Sequence, residues 1–211
     1  MLPRPANRAP PGPGAPRSPD GVGGHTVRGV TGLAAEPELF RRAVATLKSV
    51  RTRPELELTE VRPPQRLAPW AFALTAEATG PGDELSTGRL VLLHDPEGVE
   101  AWSGVFRLVA YVRVELDPEL AADPLLPEVG WSWLVEALET AEAGFLALGG
   151  TVTQTSSARF GDIAGPARTD DLELRASWTA RDAELAAHGA AFYDVMATAV
   201  GLPPVGVTTL R

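Results

Sequence analysis

The chain has 211 residues and a formal net charge of −8, and its 44% hydrophobic and 22% charged residues suit a soluble globular protein with one ordinary core. It has no cysteine, which excludes disulfides, thiolate metal sites and cysteine nucleophiles together. No apolar run reaches the ~20 residues of a membrane span, and the acidic balance opposes nucleic-acid binding because it repels phosphate backbones.

Residues 1–35 are rich in proline, glycine and arginine and have no helical or strand period. Too little apolar surface is present there to offset ordering entropy, so a disordered tail is expected, with a single domain over 36–211. No apolar core of a secretion leader is seen, and the cytoplasm is the expected location. Pro37-Glu38 opens a helix to about Val50, with Leu39, Phe40, Ala43, Val44 and Leu47 on its apolar stripe. A short edge strand fits near Glu57–Val61, before a proline-rich stretch. Trp70, Phe72 and Leu74 then alternate on one face of a strand, followed by the turn signal G-P-G-D-E. Gly88–His94 is apolar at nearly every position, which marks a central strand, and Asp95-Pro96-Glu97-Gly98 reads as a turn.

The next strand is the clearest element. Phe106, Leu108, Ala110, Val112, Val114 and Leu116 fall on one side, with Arg107, Tyr111, Arg113 and Glu115 on the other. A linker leads to a helical stripe of Trp131, Leu134, Val135, Leu138, Ala141, Phe145 and Leu148, with Gly149-Gly150 as its expected stop and Trp131 in the core. Thr151–Arg159 is β-prone and polar on both faces, as an edge strand should be. A glycine-containing loop, a strand marked by Leu172, Leu174, Ala176 and Trp178, and a helix from Arg181 to about Val200 complete the chain.

The expected fold is α+β, in the order helix, three strands, helix, two strands, helix, with an antiparallel sheet and helices mainly on one face. That order resembles the type III secretion chaperone fold and the bacterial sensory-transduction-regulator proteins. The blocks V-F-R-L-V-A-Y-V-R-V-E-L-D-P-E-L-A-A-D-P-L-L-P-E-V-G-W-S-W-L, G-G-T-V-T-Q-T-S-S-A-R-F-G and L-P-P-V-G-V-T-T-L are similar to an actinobacterial family, domain of unknown function 3000, over residues 38–210. The resemblance implies one domain and carries no activity, cofactor or catalytic residue to transfer.

Three histidines, His25, His94 and His188, show no metal-ligand spacing, so no metal and no cofactor is expected. No glycine pattern matches a phosphate or dinucleotide loop. Two surfaces remain. The first is the strand face of Arg107, Tyr111 and Arg113, together with Trp133, which lies off the Trp131 stripe; arginine and aromatic residues favour interfaces. The second is the loop 159–168, where Arg159, Asp162 and Arg168, with His94, offer a place for an anion or small molecule. The expected function is a non-enzymatic protein-interaction domain of adaptor, chaperone-like or regulatory type, acting with a protein partner or as a homodimer. The alternative is a small-molecule or anion binder, conceivably an enzyme, using that loop.

Overall fold

A computed structural model describes residues 35–81, 85–163, 165–166 and 168–204. The expected tail lies outside the described residues except for Ala35, as do part of the G-P-G-D-E turn and the chain beyond Pro204. The elements in order are α1 (Glu38–Lys48), β1 (Leu56–Val61), β2 (Trp70–Thr79), β3 (Leu85–Val99), β4 (Gly104–Leu116), α2 (Leu126–Thr140), β5 (Phe145–Ala158), β6 (Arg168–Ala180) and α3 (Ala186–Ala199). Short 3-10 turns at Glu100–Trp102 and Leu120–Ala122 join them.

The class is α+β, with four strands rather than three before α2. The six strands form one antiparallel sheet in the order β1-β2-β3-β4-β6-β5. Consecutive hairpins lay down β1 to β4, and β6 then pairs with β4, leaving β5 as the outer strand. The alternation of β4 fixes which face is covered. Phe106, Leu108, Ala110, Val112, Val114 and Leu116 are buried and belong to the main core with Leu90, Leu92, Leu174 and Trp178.

All three helices lie on that face. The middle one, α3, is buried almost all round, including Ala191, Phe192, Val195 and Met196, and it contacts α1, α2, β2, β3 and β4. A helix that is apolar on nearly every side belongs in an interior, which explains its position against the sheet and flanked by the other two. Gly88 lets it come close: a Cβ there would stand 2.4 Å from Met196 Sδ and 2.9 Å from the Phe192 ring.

Several boundaries differ from the sequence reading, and α3 begins at Ala186 rather than at Arg181. Helix α2 ends at Thr140 rather than at Gly149-Gly150. Glu142 takes a left-handed φ of 54°, and the Ala143 N–H donates to the Leu138 carbonyl at 2.9 Å, closing the helix with a six-residue bond. Phe145 and Leu148 consequently belong to β5, not to a helical stripe. Residues Asp95–Gly98 lie in β3, where the register with β4 shifts between His94 and Val99; the reversal comes at Glu100–Ser103, with Ser103 at φ 58°. Trp131 is only half-buried, over Gly150 of β5, and the fully buried tryptophan is Trp178.

Candidate functional site: the helix-free face of the sheet

Strict alternation sends Arg107, Val109, Tyr111 and Arg113 of β4 to the face without helices. Direct cross-strand partners place Arg89, Tyr111, Arg175 and Thr151 in one row over β3, β4, β6 and β5. The neighbouring row holds Thr87, Arg113, Glu173 and Thr153.

The polar bonds on this face run diagonally. Arg113 sits opposite Glu173 but bonds Asp171, with Nε at 3.1 Å and Nη2 at 2.9 Å from Oδ1. Tyr111 sits opposite Arg175, and its hydroxyl donates to Glu173 Oε1 at 3.2 Å. Arg175 in turn holds Glu173 at 2.7 Å and lies over the Tyr111 ring, with Cζ 5.4 Å from its centroid. Diagonal neighbours come within reach of long side chains in a sheet, so one skewed lattice satisfies all of them.

Charge follows geometry here. The hydrogen bond from Arg175 holds the Glu173 carboxyl below its ordinary range. Burial, followed by the Glu173 charge, pushes the Tyr111 hydroxyl up. The hydrogen bond and charge of Asp171 raise Arg113, whereas burial lowers Arg107.

Arg107 has a structural role. Its guanidinium donates to the Ala147 carbonyl at 2.9 Å, to Thr179 Oγ1 at 3.1 Å and to Ser177 Oγ at 2.6 Å. Ala147 lies at the irregularity between Leu146 and Gly149 and has φ 47°, so Arg107 fastens that bulge to β4 and β6. Its donors are turned inward.

Part of the face is covered by chain that the sequence left unassigned. Ala73, Val91 and Leu93 form a second buried cluster, packed by Val61, Ala68, Ala71, Trp102 and Val109. The apolar run of β3 was the available signal, since a strand apolar at successive positions is covered on both sides. The connection from β1 to β2 folds over this cluster, and Arg89 Nη2 donates to the Arg62 carbonyl at 3.0 Å. Beside it opens a cavity of about 230 Å³ walled by Pro64, Leu67, Val91, Val109, Tyr111 and Arg89. Leu67 at its mouth is 56% exposed. Among the described residues, Arg62, Arg66 and Arg89 form no ion pair, and Arg89 Nε is buried without an acceptor.

The remaining candidates do not converge. Trp133 is on α2, on the other side of the sheet from Tyr111, and lines a groove of about 370 Å³ with Glu136, Asp194 and Pro203. Burial raises the Asp194 carboxyl there. His94 is a core residue, 1% exposed and stacked between Phe40 at 5.8 Å and Phe106 at 4.4 Å. Its Nδ1 lies 3.0 Å from the Val105 carbonyl and therefore carries the proton, because a carbonyl only accepts. His94 pairs with Phe106 at one end of β4, whereas Asp170 near the loop 159–168 pairs with Leu116 at the other. Ten strand residues, roughly 33 Å, separate them, so His94 cannot serve that loop.

The loop residues themselves point apart. Arg168 clamps Asp170 through two nitrogens, both at 2.9 Å, on the helix side of the sheet. Asp162 is exposed in a turn. Arg159 donates to the Pro166 carbonyl at 2.8 Å and joins Arg113, Glu115 and Asp171 around a hollow of about 170 Å³. Two carboxylates there offset two arginines, which leaves no net field for an anion. Among the described residues no group of His, Asp and Glu is placed to hold a metal ion, and no helix is long and apolar enough to cross a membrane.

No curated protein and no solved structure matches the chain. Residues 36–208, which include both faces of the sheet and all three helices, match the family model described as Protein of unknown function (DUF3000), and the chain belongs to that family.

Proposed function

We propose that the chain is a non-enzymatic protein-interaction domain, and that it captures a partner segment on the helix-free face between Leu67 and Tyr111. The observation that carries this reading is the apolar cavity of about 230 Å³ lined by Arg89 and by Pro64 and Leu67 of the connection that carries Arg62 and Arg66; among the described residues none of these three arginines forms an ion pair. An apolar wall with Arg89 in its lining, on a connection that also carries the exposed Arg62 and Arg66, suits a segment that presents one aliphatic or aromatic side chain flanked by carboxylates. Arg113 and Arg107 are less available than the sequence suggested, since Asp171 and the Ala147 bulge occupy them. The alternative, an anion or small-molecule binder at Arg159, is disfavoured by Glu115 and Asp171 in the same hollow.

Selection from a library of random peptides tests the reading. Binders should carry an apolar residue next to aspartate or glutamate. Leu67→Asp with Tyr111→Ala should abolish binding without changing the circular dichroism spectrum. Binders without acidic residues, or binding that survives the double change, would sink the idea.

A further inference from the structure

The two edges of the sheet differ in how they are protected. The outer strand at one side, β1, has six residues, contains Glu57 and Glu60, and runs into Arg62-Pro63-Pro64. Short length, charge and proline are the ordinary ways of blocking an edge. At the other side, β5 runs for 14 residues, Phe145–Ala158, with no charged residue and no proline. After its bulge it is regular from Gly149 to Ala158, paired with Ser177 through Arg168 on one side only. Among the described residues, no backbone bond outside the strand ladders involves Gly149–Ala158. An unpaired row of N–H and C=O groups about 30 Å long is therefore presented outward.

We propose that this edge pairs with the same edge of a second copy, antiparallel about a two-fold axis at Thr153, so that two six-stranded sheets become one. The site is separate from the Leu67–Tyr111 surface and does not depend on it. Self-pairing of an identical strand is isologous, so any feature of the edge must suit itself. This edge does. Thr151, Thr153 and Thr155 are exposed on one face, and an axis at Thr153 sets threonine opposite threonine at all three positions. Such β-branched hydroxyl pairs favour cross-strand association, and within the paired strands no like charges meet. On the helix side the edge is bordered by a hollow of about 330 Å³ between Trp131, Pro127, Gly150 and Val152, with Glu128 of α2 also in its lining. Its own copy would arrive there across the axis and cover the open flank of Trp131. An uncharged edge offers a foreign strand no charge to be selected by, which favours the second copy as occupant.

The test uses the full chain. Light scattering should give twice the chain mass, and Thr151→Lys with Thr155→Lys, which opposes like charges across the axis, should give the single mass with an unchanged circular dichroism spectrum. Thr151→Lys with Thr155→Glu opposes unlike charges in the same places and should restore the doubled mass. Because the chain has no cysteine, Thr153→Cys supplies one thiol per copy and should form a covalent dimer on mild oxidation. A wild-type chain that stays single at every concentration reached overturns the proposal. So does a doubled mass that survives the two lysines, which would put the contact elsewhere. Capture of a foreign strand by β5 in place of self-pairing also overturns it.

Discussion

The indole N–H of Trp178 donates to Nδ1 of His188 at 3.0 Å, and neither side chain is more than 2% exposed. The bond joins β6 to α3 inside the main core. It also fixes the imidazole tautomer, since an accepting Nδ1 places the ring proton on Nε2. Protonating the ring would remove that acceptor and bury a charge. Burial accordingly lowers the His188 pKa to about 4 from 6.5, with Asp182 pulling weakly the other way.

Stability should therefore fall with acid through this residue. Between pH 6.5 and about 4 the unfolded chain binds a proton at His188 that the folded chain refuses, so lowering the pH favours unfolding. The stabilisation is complete above 6.5, and about 3 kcal/mol is lost by the lower limit, below which both states are protonated. His188→Gln keeps an acceptor for Trp178 but cannot titrate. Urea unfolding across this window should show a shallower pH dependence in the variant than in the wild type. Parallel curves would mean that the imidazole is charged in the fold.

Two glycines separate strain against backbone from strain against side chain. A Cβ on Gly150 would stand 2.2 Å from the Arg175 carbonyl oxygen and 2.9 Å from the Trp131 ring, and the β5–β6 ladder cannot give way. A Cβ on Gly88 would meet Met196 Sδ, and methionine can swing aside. Gly88→Ala should cost about 1–3 kcal/mol, and Gly150→Ala more. Adding Met196→Ala to Gly88→Ala should cost less than the sum of the single changes, while Met196→Ala should give Gly150→Ala no relief. Equal costs for the two glycines in chemical denaturation would contradict these contacts.

The alternation in β4 made both faces of the sheet legible, and the proline-to-lysine amphipathic stretch made α1 legible. What escaped the sequence was closure by unusual residues. Glu142, not a glycine, takes the left-handed position that ends α2, so the glycines at 149–150 looked like the stop and drew Phe145 and Leu148 into the helix. His94 was misplaced for another reason: its neighbours in space are Phe40, from a helix far earlier in the chain, and Phe106, across a hairpin. The bonds of Tyr111 and Arg113 depend on the skew between strands and that of Arg107 on the bulge at Ala147, neither of which a pattern of alternation contains. The edge character of Thr151–Arg159, in contrast, followed from its polarity on both faces, and β5 is indeed an outer strand.

The tryptophans give the last test: the sequence placed Trp131 in the core, where it packs only in part, and Trp178 holds the fully buried position. Trp178 is fully buried between β6 and the helices, whereas Trp131 keeps one flank open above Gly150 and Val152. Trp178→Ala removes a large side chain from a packed interior and leaves a cavity, which should cost about 3–5 kcal/mol. Trp178→Phe fills most of that space but leaves His188 Nδ1 without its donor, for a cost of about 1–3 kcal/mol. Trp131→Ala removes a side chain that is only partly buried and should cost less, about 1–3 kcal/mol. Urea unfolding of the three variants should rank them with Trp178→Ala as the most damaging. If Trp131→Ala proved the worst of the three, Trp131 would have to be more deeply enclosed than its open flank beside Gly150 and Val152 allows, and the placement of α2 over the β5 edge would be wrong.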